Sequence, residues 1–428
     1  MFDARFGYVH ENLNTQDPNV MHIDLNSCFA TVEQQANPHL RGRPLGVTNR
    51  ISPHCCMVAL SYEAKFRGAK VGMRFDEVKA MIPDLIVVET DPPKYHYVYE
   101  KLLAIMKSYS PKVQMKSIDE GIVDFHGTRT GVNNRPLEEI GQEIKERLAH
   151  DVGSWMKCNI GISTNRFLAK LASNFNKPDG LTVIHHENLE EKYGGLRLVD
   201  LPGIAHRFEL RLNSRGIVSP IDFLNAPPRV LKKYVFASII GIHWHQRIRG
   251  YEVDDIQTNL GNVGRQHVFN IRTKDERELV KRFSYLCYTT ARKLRYNEVM
   301  ARGIYVYLQF KSGNSWYKRH LFKEMFNDDR GLFENAMSVF NQRPKEEIIV
   351  MASITCYHLH KASGSNLQLE LFHDRINDEV VTTTIDDIND VFGNQTIMMA
   401  TALGAHDQVK QKVPFGSTKY LELLCRQT

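Results

Sequence analysis

The sequence predicts an α+β protein built from several modules, and three observations indicate this. Strand-like and helix-like patterns alternate over roughly 170 residues, which is typical of an α+β domain rather than a helical bundle. The 428 residues, 42% of them hydrophobic, exceed one ordinary core, so we expect three or four modules. Charge is also uneven: residues 261–345 hold 17 Lys and Arg against 8 Asp and Glu, whereas residues 346–428 hold 6 against 11.

Two short acidic stretches are the strongest candidates for a functional site. In residues 20–29, an apolar strand pattern ends at Asp24 and a capped helical pattern follows. In residues 116–124, apolar positions flank the adjacent acids Asp119 and Glu120. Carboxylates at facing strand ends suit Mg²⁺, and two such ions can clamp an in-line phosphoryl displacement. Either stretch alone is equally consistent with a solvated turn, but the two together favour a metal site.

Several protein classes are not expected from the composition. No window approaches about 18 uninterrupted apolar residues, and the N-terminus lacks the pattern of a signal peptide. The seven cysteines include no CxxC pair, so neither a disulfide framework nor a zinc site is expected. We therefore expect a cytoplasmic protein without a membrane partner.

The basic region after residue 261 predicts a module that contacts a phosphate backbone. A basic amphipathic helix is predicted over residues 276–294, and alternating strands over 301–310 and 316–322. An evenly solvated basic surface is the alternative. Upstream, the tetrapeptide Leu201-Pro202-Gly203-Ile204 lies between helical patterns. It is similar to the turn of a helix-hairpin-helix, whose backbone N–H groups face a phosphate, although Pro-Gly turns are common.

The motifs, in their order along the chain, resemble those of the Y-family translesion DNA polymerases. The resemblance extends from about residue 20 to residue 372. The motifs that carry it are Asp24 with Phe29-Ala30-x-Val32-Glu33, Ser61-Tyr62-Glu63-Ala64-Lys65, Ser117-Ile118-Asp119-Glu120, Gly161-Ile162-Ser163-x-Asn165 with Ala169-Lys170-Leu171-Ala172-Ser173, Lys177-Pro178-Asp179-Gly180 and Leu201-Pro202-Gly203-Ile204. Each motif is weak alone, but the ordered set is specific.

The resemblance implies a multidomain, right-hand-like polymerase. It implies a palm of mixed sheet plus helices over residues 1–28 and 94–190, small fingers over 29–93, a helical thumb with a helix-hairpin-helix over 191–255, an α/β little finger over 262–360, and a clamp-binding peptide with a C-terminal tail over 361–428. The implied activity is template-directed translesion synthesis during the SOS response, by two-metal transfer from a dNTP to a primer 3′-hydroxyl. No second acidic constellation suggests proofreading, so low fidelity is expected.

Two other functions remain open at this point. The first is a catalytically weakened family member that acts as a DNA- and clamp-binding module. The second is a two-metal nuclease or nucleotide cyclase, which the carboxylates alone would allow. Neither accounts for all of the motifs together.

The resemblance also implies roles for individual residues around the metal site. Asp24, Asp119 and Glu120 match the carboxylates that hold two Mg²⁺ ions, with the Leu25 carbonyl as a further ligand. Phe29 matches the steric gate, a bulky ring that would clash with a ribonucleotide 2′-hydroxyl.

Further roles concern the triphosphate, the template and the DNA backbone. Tyr62, Lys65 and Lys177 match nucleotide-binding positions, although Lys65 stands where arginine is usual and loses the planar bidentate fork. Nearby Arg67 is a candidate to compensate. Cys56 and Val58 would face the templating base. The residues expected to contact DNA are Gly203, Arg265, Lys318 and Arg319.

A final motif bears on partners and on the branch of the family. The run Gln368-Leu369-x-Leu371-Phe372 resembles the bacterial sliding-clamp peptide, whose apolar side chains anchor in a groove. With the tail that follows, which has a predicted helix at 385–392, it favours the UmuC-type branch over DinB-type polymerase IV. The implied partners are primer-template DNA, a dNTP and the clamp, with a recombinase filament or accessory subunits left open. The catalytic chain is expected to be monomeric and nucleoid-associated.

Overall fold

The computed structural model describes residues 12–128, 135–255, 260–362, 375–393 and 395–405, without the side chains of residues 270, 271 and 375–379. The described residues form two compact units, one ending at residue 255 and the other beginning at residue 260. No helix in these ranges is long and apolar enough to cross a membrane. The predicted clamp peptide, with Gln368, Leu369, Leu371 and Phe372, lies outside the described residues.

The secondary-structure elements are numbered in chain order. The strands are β1 (Val20–Leu25), β2 (Leu45–Thr48), β3 (Met57–Leu60), β4 (Ile86–Glu89), β5 (Val113–Met115), β6 (Glu120–Asp124), β7 (Cys158–Ser163), β8 (Leu181–Val183), β9 (Asn262–Thr273), β10 (Val299–Phe310), β11 (Ser315–Phe326) and β12 (Ile349–Lys361). The helices are α1 (Cys28–Ala36), α2 (Tyr62–Phe66), α3 (Phe75–Met81), α4 (Pro92–Lys107), α5 (Leu137–Asp151), α6 (Arg166–Ala172), α7 (Leu189–Gly194), α8 (His206–Asn213), α9 (Pro220–Asn225), α10 (Pro228–Val230), α11 (Ile240–Arg247), α12 (Glu276–Tyr296), α13 (Asp329–Phe340) and α14 (Arg375–Phe392).

A five-stranded mixed sheet, in the order β5-β6-β1-β7-β8, organises the first unit. Alternate side chains of the central strand β1 point to opposite faces. Met21 and Ile23 join the apolar core beneath α4 and α5, so His22 and Asp24 face the side covered by α6. Gly161 lets α6 lie close to the sheet, because a Cβ there would be 2.0 Å from the Ala169 carbonyl oxygen. This packing brings the end of α6 to the acidic end of β1.

A small three-stranded sheet, in the order β3-β2-β4, forms a separate core where the fingers are expected. The apolar run from Cys56 to Tyr62 in the sequence predicts one strand, but β3 ends at Leu60. The reason is a helix cap: the Ser61 hydroxyl accepts the Ala64 backbone N–H at 3.4 Å. Tyr62 is therefore the first residue of the short helix α2 rather than the last residue of a strand.

The short helices α7 to α11 pack around a cluster of aromatic rings. Trp244 stacks on Phe236 and meets Phe167 edge-on. The predicted hairpin at residues 201–204 is a turn before α8, and Gly203 adopts a φ of +89° there. A Cβ on Gly203 would make ordinary contact with the Trp244 ring at 3.4 Å, so it is the backbone conformation that favours glycine here.

The second unit contains a four-stranded antiparallel sheet in the order β11-β10-β12-β9. Helices α12 and α13 pack on one face, where Phe283 and Phe340 stack with centroids 4.2 Å apart. The predicted helix at 276–294 and strands at 301–310 and 316–322 are confirmed within a few residues. Strand β9 was not predicted.

The tail contains a helix that is longer than the predicted 385–392 and is held against α12. The Arg295 guanidinium bonds both carboxylate oxygens of Asp386, at 2.6 and 2.8 Å, and Asp329 at 2.9 Å. Arg292 is paired with Asp390. Burial raises the pKa of Asp329, which the positive charge of Arg295 partly offsets. The acids of this part of the tail thus neutralise basic side chains of α12.

We expect Arg295→Met to loosen α14. The change removes the main partner of Asp386 and Asp329, and breaking these partly buried pairs from one side should cost about 3 kcal/mol, the lower end of the range for buried pairs. Hydrogen exchange by mass spectrometry on the whole chain should show about 10²–10³-fold faster exchange in α14. Arg330→Met is the matched control, because Arg330 is 84% exposed in its pair with Glu334. Equal exchange in both variants would contradict this role of the ion pairs.

Candidate active site

A cavity of about 240 Å³ in the first unit brings together most of the residues predicted to bind metal and nucleotide, although Glu120 is not among its lining residues. It is lined by the end of β1, the start of α1, β3, α2 and the loops that contain residues 26–27, 71, 118–119 and 177. The predicted residues that line it are Asp24, Leu25, Phe29, Val58, Tyr62, Lys65, Asp119 and Lys177. Cys56 does not line it and is exposed. Residues far apart in the sequence therefore meet in one cavity, as a nucleotide site requires.

The register of β1 and β6 places two of the predicted carboxylates opposite each other. Asp24 is the direct partner of Glu120, and the Leu25 N–H donates to the Asp119 carbonyl at 2.8 Å. Asp24 and Glu120 thus form a non-hydrogen-bonded pair, whose side chains share one face with Cβ atoms about 4.5–5.5 Å apart. Like charges in this arrangement repel, so the pair requires neighbouring positive charge.

Asp119 lies in the turn before β6 and is affected by the same negative charges. Burial raises the pKa of Asp119, as do the charges of Asp24 and Glu120, while the Ser117 hydroxyl donates to its carboxylate and lowers it. Burial also raises the pKa of the Cys28 thiol, and Asp119 and Asp24 add to this. The raised pKa values of Asp119 and Cys28 thus both indicate a negative local potential, which favours binding of a cation.

Two lysines and a histidine lie against Glu120 and Asp24, and we did not predict these pairings. The Lys170 ammonium donates to both oxygens of Glu120, at 2.8 and 2.7 Å. His22 Nε2 lies 3.3 Å from Glu120 Oε2, and Lys177 is bonded to Asp24. Burial would raise the pKa of Glu120, but His22 and Lys170 lower it to about 2. Glu120 is therefore a stable carboxylate at neutral pH.

The residues present fit hard divalent ions in donor type. Carboxylate oxygens are the ligands that such ions prefer, and ammonium groups already bind two of the three carboxylates as stand-in cations. As the side chains stand, no three His, Cys, Asp or Glu of the described ranges converge into a ligand set. Movement of Lys170 or Lys177 would release the carboxylate oxygens that these ammonium groups occupy.

The predicted gate residue is held rigidly at the cavity wall. Phe29 is 4% exposed and stacks on Tyr95, with ring centroids 4.3 Å apart and planes 14° apart. The Tyr95 hydroxyl donates to Glu33 at 2.9 Å, and Glu33 also accepts from Lys94 at 2.9 Å. A bulky ring supported in this way cannot easily yield to an additional substituent on a nucleotide sugar.

Two family models cover more than half of the sequence. Residues 23–174 match the impB/mucB/samB family, and residues 262–371 match the C-terminal domain of the same family. The chain belongs to the Y-family of translesion DNA polymerases. This agrees with the ordered motifs and with the place of Asp24, Asp119 and Phe29 around one cavity.

Several bacterial DNA polymerases are similar to this Y-family chain over most of their length. The DNA polymerase IV of Bacillus velezensis is 26% identical over 385 residues, which are 88% of this chain and 91% of the relative. The DNA polymerase IV 1 of Bacillus subtilis is 26% identical, with 90% and 93% covered. That of Staphylococcus aureus is 24% identical, with 82% and 98% covered. All three carry the name of the DinB-type alternative.

Solved structures share the fold. A Y-family polymerase chimera of Dbh and Dpo4 aligns with a TM-score of 0.68 at 21% identity, covering 80% of this chain and 99% of the chimera. An insertion ternary complex of Dbh DNA polymerase aligns with a TM-score of 0.57 at 21% identity, with 80% and 99% covered. These matches confirm the predicted multidomain α+β fold.

The family's usual arginine is replaced by Lys65, which lies at the cavity with Tyr62. Its ammonium donates to the Ser27 hydroxyl at 2.7 Å and lies 4.9 Å from the Tyr62 ring centroid. Burial and the charge of Lys177 lower the pKa of Lys65, so an added anion would be favoured here. Arg67 instead bonds Asp84, outside the cavity-lining set. Compensation for Lys65 by Arg67 therefore stays a prediction.

We expect Lys65→Arg to lower the KM for the incoming dNTP by about three- to tenfold, with kcat little changed. A guanidinium can donate to phosphate through two parallel bonds, whereas an ammonium acts as a point charge. Steady-state single-nucleotide insertion measures both constants. Arg67→Lys, outside the cavity, is the control and should leave the KM unaltered. An unchanged KM in Lys65→Arg would show that the position does not face the triphosphate.

The predicted DNA contacts of the second unit do not share one face. Lys318 and Arg319 are adjacent on β11, so they point to opposite sides. Lys318 is opposite buried Val306 and bonds Gln342, on the side of the helices. Arg265 is opposite buried Ile354, also on that side. The three cations therefore lie on two faces of the sheet, and their contacts with DNA stay predictions.

Arg319 lies on the open face of the sheet, together with aromatic side chains that we did not predict. Its guanidinium is 5.2 Å from the Tyr305 ring centroid, and Tyr307 is the cross-strand partner of Tyr317. The alternation of β10 was visible in the sequence, and the odd-numbered tyrosines could have been assigned to one face from it. Among the described residues, this face of the sheet is not covered by α12 or α13, and it combines aromatic rings with a cation.

Proposed function

We propose that this chain is a template-directed DNA polymerase that copies damaged templates, with its active site in the cavity beside β1 and β6. The observation that carries the proposal is the meeting of Asp24 and Asp119 with the Phe29 gate, Tyr62 and Lys177 in one cavity. A nuclease or cyclase would need the carboxylates but gives no reason for the gate. The chemistry is transfer of a nucleotide from a dNTP to a primer 3′-hydroxyl.

Two groups of side chains have different roles in this transfer: carboxylates for the metal ions, and lysines and a tyrosine for the triphosphate. We propose that Asp24, Asp119 and Glu120 hold divalent ions, in this case Mg²⁺. When bound, these ions would activate the primer hydroxyl and neutralise charge on the triphosphate. Lys177 and Lys65 provide cations for the phosphates, and Tyr62 donates its hydroxyl. The Leu25 carbonyl is a further candidate ligand. Positioning and electrostatics account for most of the catalysis expected in phosphoryl transfer.

The simplest test is single-nucleotide insertion on a primed template with each of the four bases, and on one carrying a defined lesion. We expect the complementary dNTP to be inserted first opposite each normal base, and insertion to continue opposite the lesion. Binding of DNA without insertion of any nucleotide would favour the alternative, a catalytically weakened binding module. The lysine at position 65 is the only feature that supports that alternative.

We also propose that the second unit grips primer-template DNA through its tyrosine-rich open face. Arg319 supplies positive charge there, while Tyr305, Tyr307 and Tyr317 supply flat surfaces for the sugar-phosphate backbone. In the first unit, the Gly203 turn is the proposed backbone contact. We also propose the boundaries of the palm, fingers, thumb and little finger that were expected from the sequence.

A bacterial sliding clamp is the proposed protein partner, bound through Gln368, Leu369, Leu371 and Phe372. We expect Leu371→Ala with Phe372→Ala to abolish stimulation by the clamp, because these side chains would anchor in its groove. Primer extension with and without clamp on a long template measures this. Synthesis on short primers without clamp is the internal control and should be unaffected. Equal stimulation of variant and wild type would remove the clamp assignment.

A further inference from the structure

Two ammonium groups bind two of the three proposed catalytic carboxylates. Lys170 donates to both oxygens of Glu120 at 2.8 and 2.7 Å, and Lys177 is paired with Asp24. A carboxylate oxygen engaged by an ammonium group is less available to a divalent ion. Lysine and metal therefore compete for the same oxygens.

The two lysines are placed by local structure so that they can reach the carboxylates and also leave them. Lys170 is on α6, which the small residue at Gly161 brings close to the sheet. Lys177 is in the loop after α6, which is fixed beside β1 because the Asp179 N–H donates to Asn26 at 2.8 Å. Yet the side chains of Lys170 and Lys177 are 41% and 32% exposed, so each ammonium can rotate into solvent.

We propose that Lys170 and Lys177 are place-holding cations, which bind Glu120 and Asp24 until a divalent ion displaces them. Three carboxylates and two ammonium groups leave one negative charge, so the lysines relieve most of the repulsion between the acids. They therefore stabilise the site without metal and weaken its affinity for metal alone. The inference rests on the proposed function, because it takes these carboxylates to be the metal ligands.

Binding of a nucleotide should favour the metal ion over Lys177 in the competition for Asp24. Lys177 lines the cavity together with Lys65, and a triphosphate there offers Lys177 an alternative anion. Release of Lys177 toward phosphate would free Asp24 when the nucleotide arrives. Metal binding is then coupled to the presence of substrate, and the reciprocal coupling must hold for nucleotide binding.

Binding of Mn²⁺ alone to the whole chain, without DNA or nucleotide, tests the inference by electron paramagnetic resonance. Lys170→Gln and Lys177→Gln keep the length of the side chain but remove its charge. We expect each to lower the Kd for Mn²⁺ by about tenfold, as expected for loss of a charge-assisted bond to a ligand oxygen. Lys94→Gln is the matched control, since Lys94 binds Glu33 rather than a predicted metal ligand, and its Kd should equal that of the wild type.

A higher affinity of Lys170→Gln and Lys177→Gln for Mn²⁺ would distinguish the place-holding role from a purely structural role. If Lys170 and Lys177 only supported the fold, their replacement would weaken Mn²⁺ binding or leave it unchanged, and either result would overturn the inference. The proposed function is tested separately by nucleotide insertion with the wild type. Active wild type with no gain in Lys170→Gln or Lys177→Gln rejects only the place-holding role. Inactive wild type, on the other hand, rejects the polymerase assignment whatever the lysine variants do.

Discussion

Replacing Asp119 and Glu120 together with alanine should lower the single-turnover rate of primer extension by at least about 10³-fold. Loss of metal-dependent charge stabilisation is worth several kcal/mol, and each 1.36 kcal/mol corresponds to about tenfold in rate. Rapid-quench measurement of one insertion at saturating dNTP isolates the chemical step. Asp119→Asn with Glu120→Gln should show a similar loss, and it keeps the volume of both side chains so that the fold is preserved.

A carboxylate on the same strand provides the control for this experiment. Asp124 ends β6 opposite Val20, at the other end of β1 from Asp24, and it contacts His126 and Arg166. Asp124→Ala should therefore retain a rate within a few-fold of the wild type. If Asp119→Asn with Glu120→Gln extended primers as fast as Asp124→Ala, these two acids would not be the catalytic carboxylates.

Phe29→Ala should admit ribonucleotides and reduce the discrimination between dNTP and rNTP by about 10²-fold. The Phe29 ring is stacked on Tyr95 and cannot move away, and forcing extra atoms into a well-packed site costs about 1–3 kcal/mol or more. The ratio of kcat/KM for a matched dNTP and rNTP measures the effect. Because the ring acts mainly against the 2′-hydroxyl, insertion of the dNTP should fall much less than insertion of the rNTP rises.

The support of the gate can be tested in the same assay. Tyr95→Ala removes the stacking partner without altering a cavity-lining residue, and it should shift the ratio in the same direction by a smaller factor. Tyr97→Ala, on the same helix but 52% exposed, is the control and should leave the ratio unchanged. If Phe29→Ala and Tyr97→Ala discriminated equally well against rNTP, Phe29 would not be the gate.

The sequence predicted best those elements whose apolar pattern is strong and local. The run Cys158-Asn159-Ile160-Gly161-Ile162-Ser163 predicts a strand, and β7 has these bounds, with its residues buried throughout. The acidic stretches were predicted to meet, and the antiparallel register of Asp24 with Glu120 places them together. Such predictions succeed because side-chain periodicity and a change of polarity at a strand end are visible in a single sequence.

Long-range pairings were beyond what periodicity can indicate. The bonds from Lys170 to Glu120 and from Lys177 to Asp24 join residues 50 and 153 positions apart. The docking of α14 on α12 likewise depends on partly buried ion pairs such as Arg295 with Asp386. In each case the sequence shows a charged residue without showing its partner, because the fold alone determines which charges meet.

Binding of Mn²⁺ to the complex with primer-template DNA and the next dNTP tests the central claim most directly. The primer should end in a dideoxynucleotide so that no reaction occurs, and electron paramagnetic resonance then counts the bound ions. The account predicts about two Mn²⁺ per wild-type complex, with at least one lost in Asp119→Asn with Glu120→Gln. Equal Mn²⁺ binding by the wild type and this variant would contradict a metal site at these carboxylates.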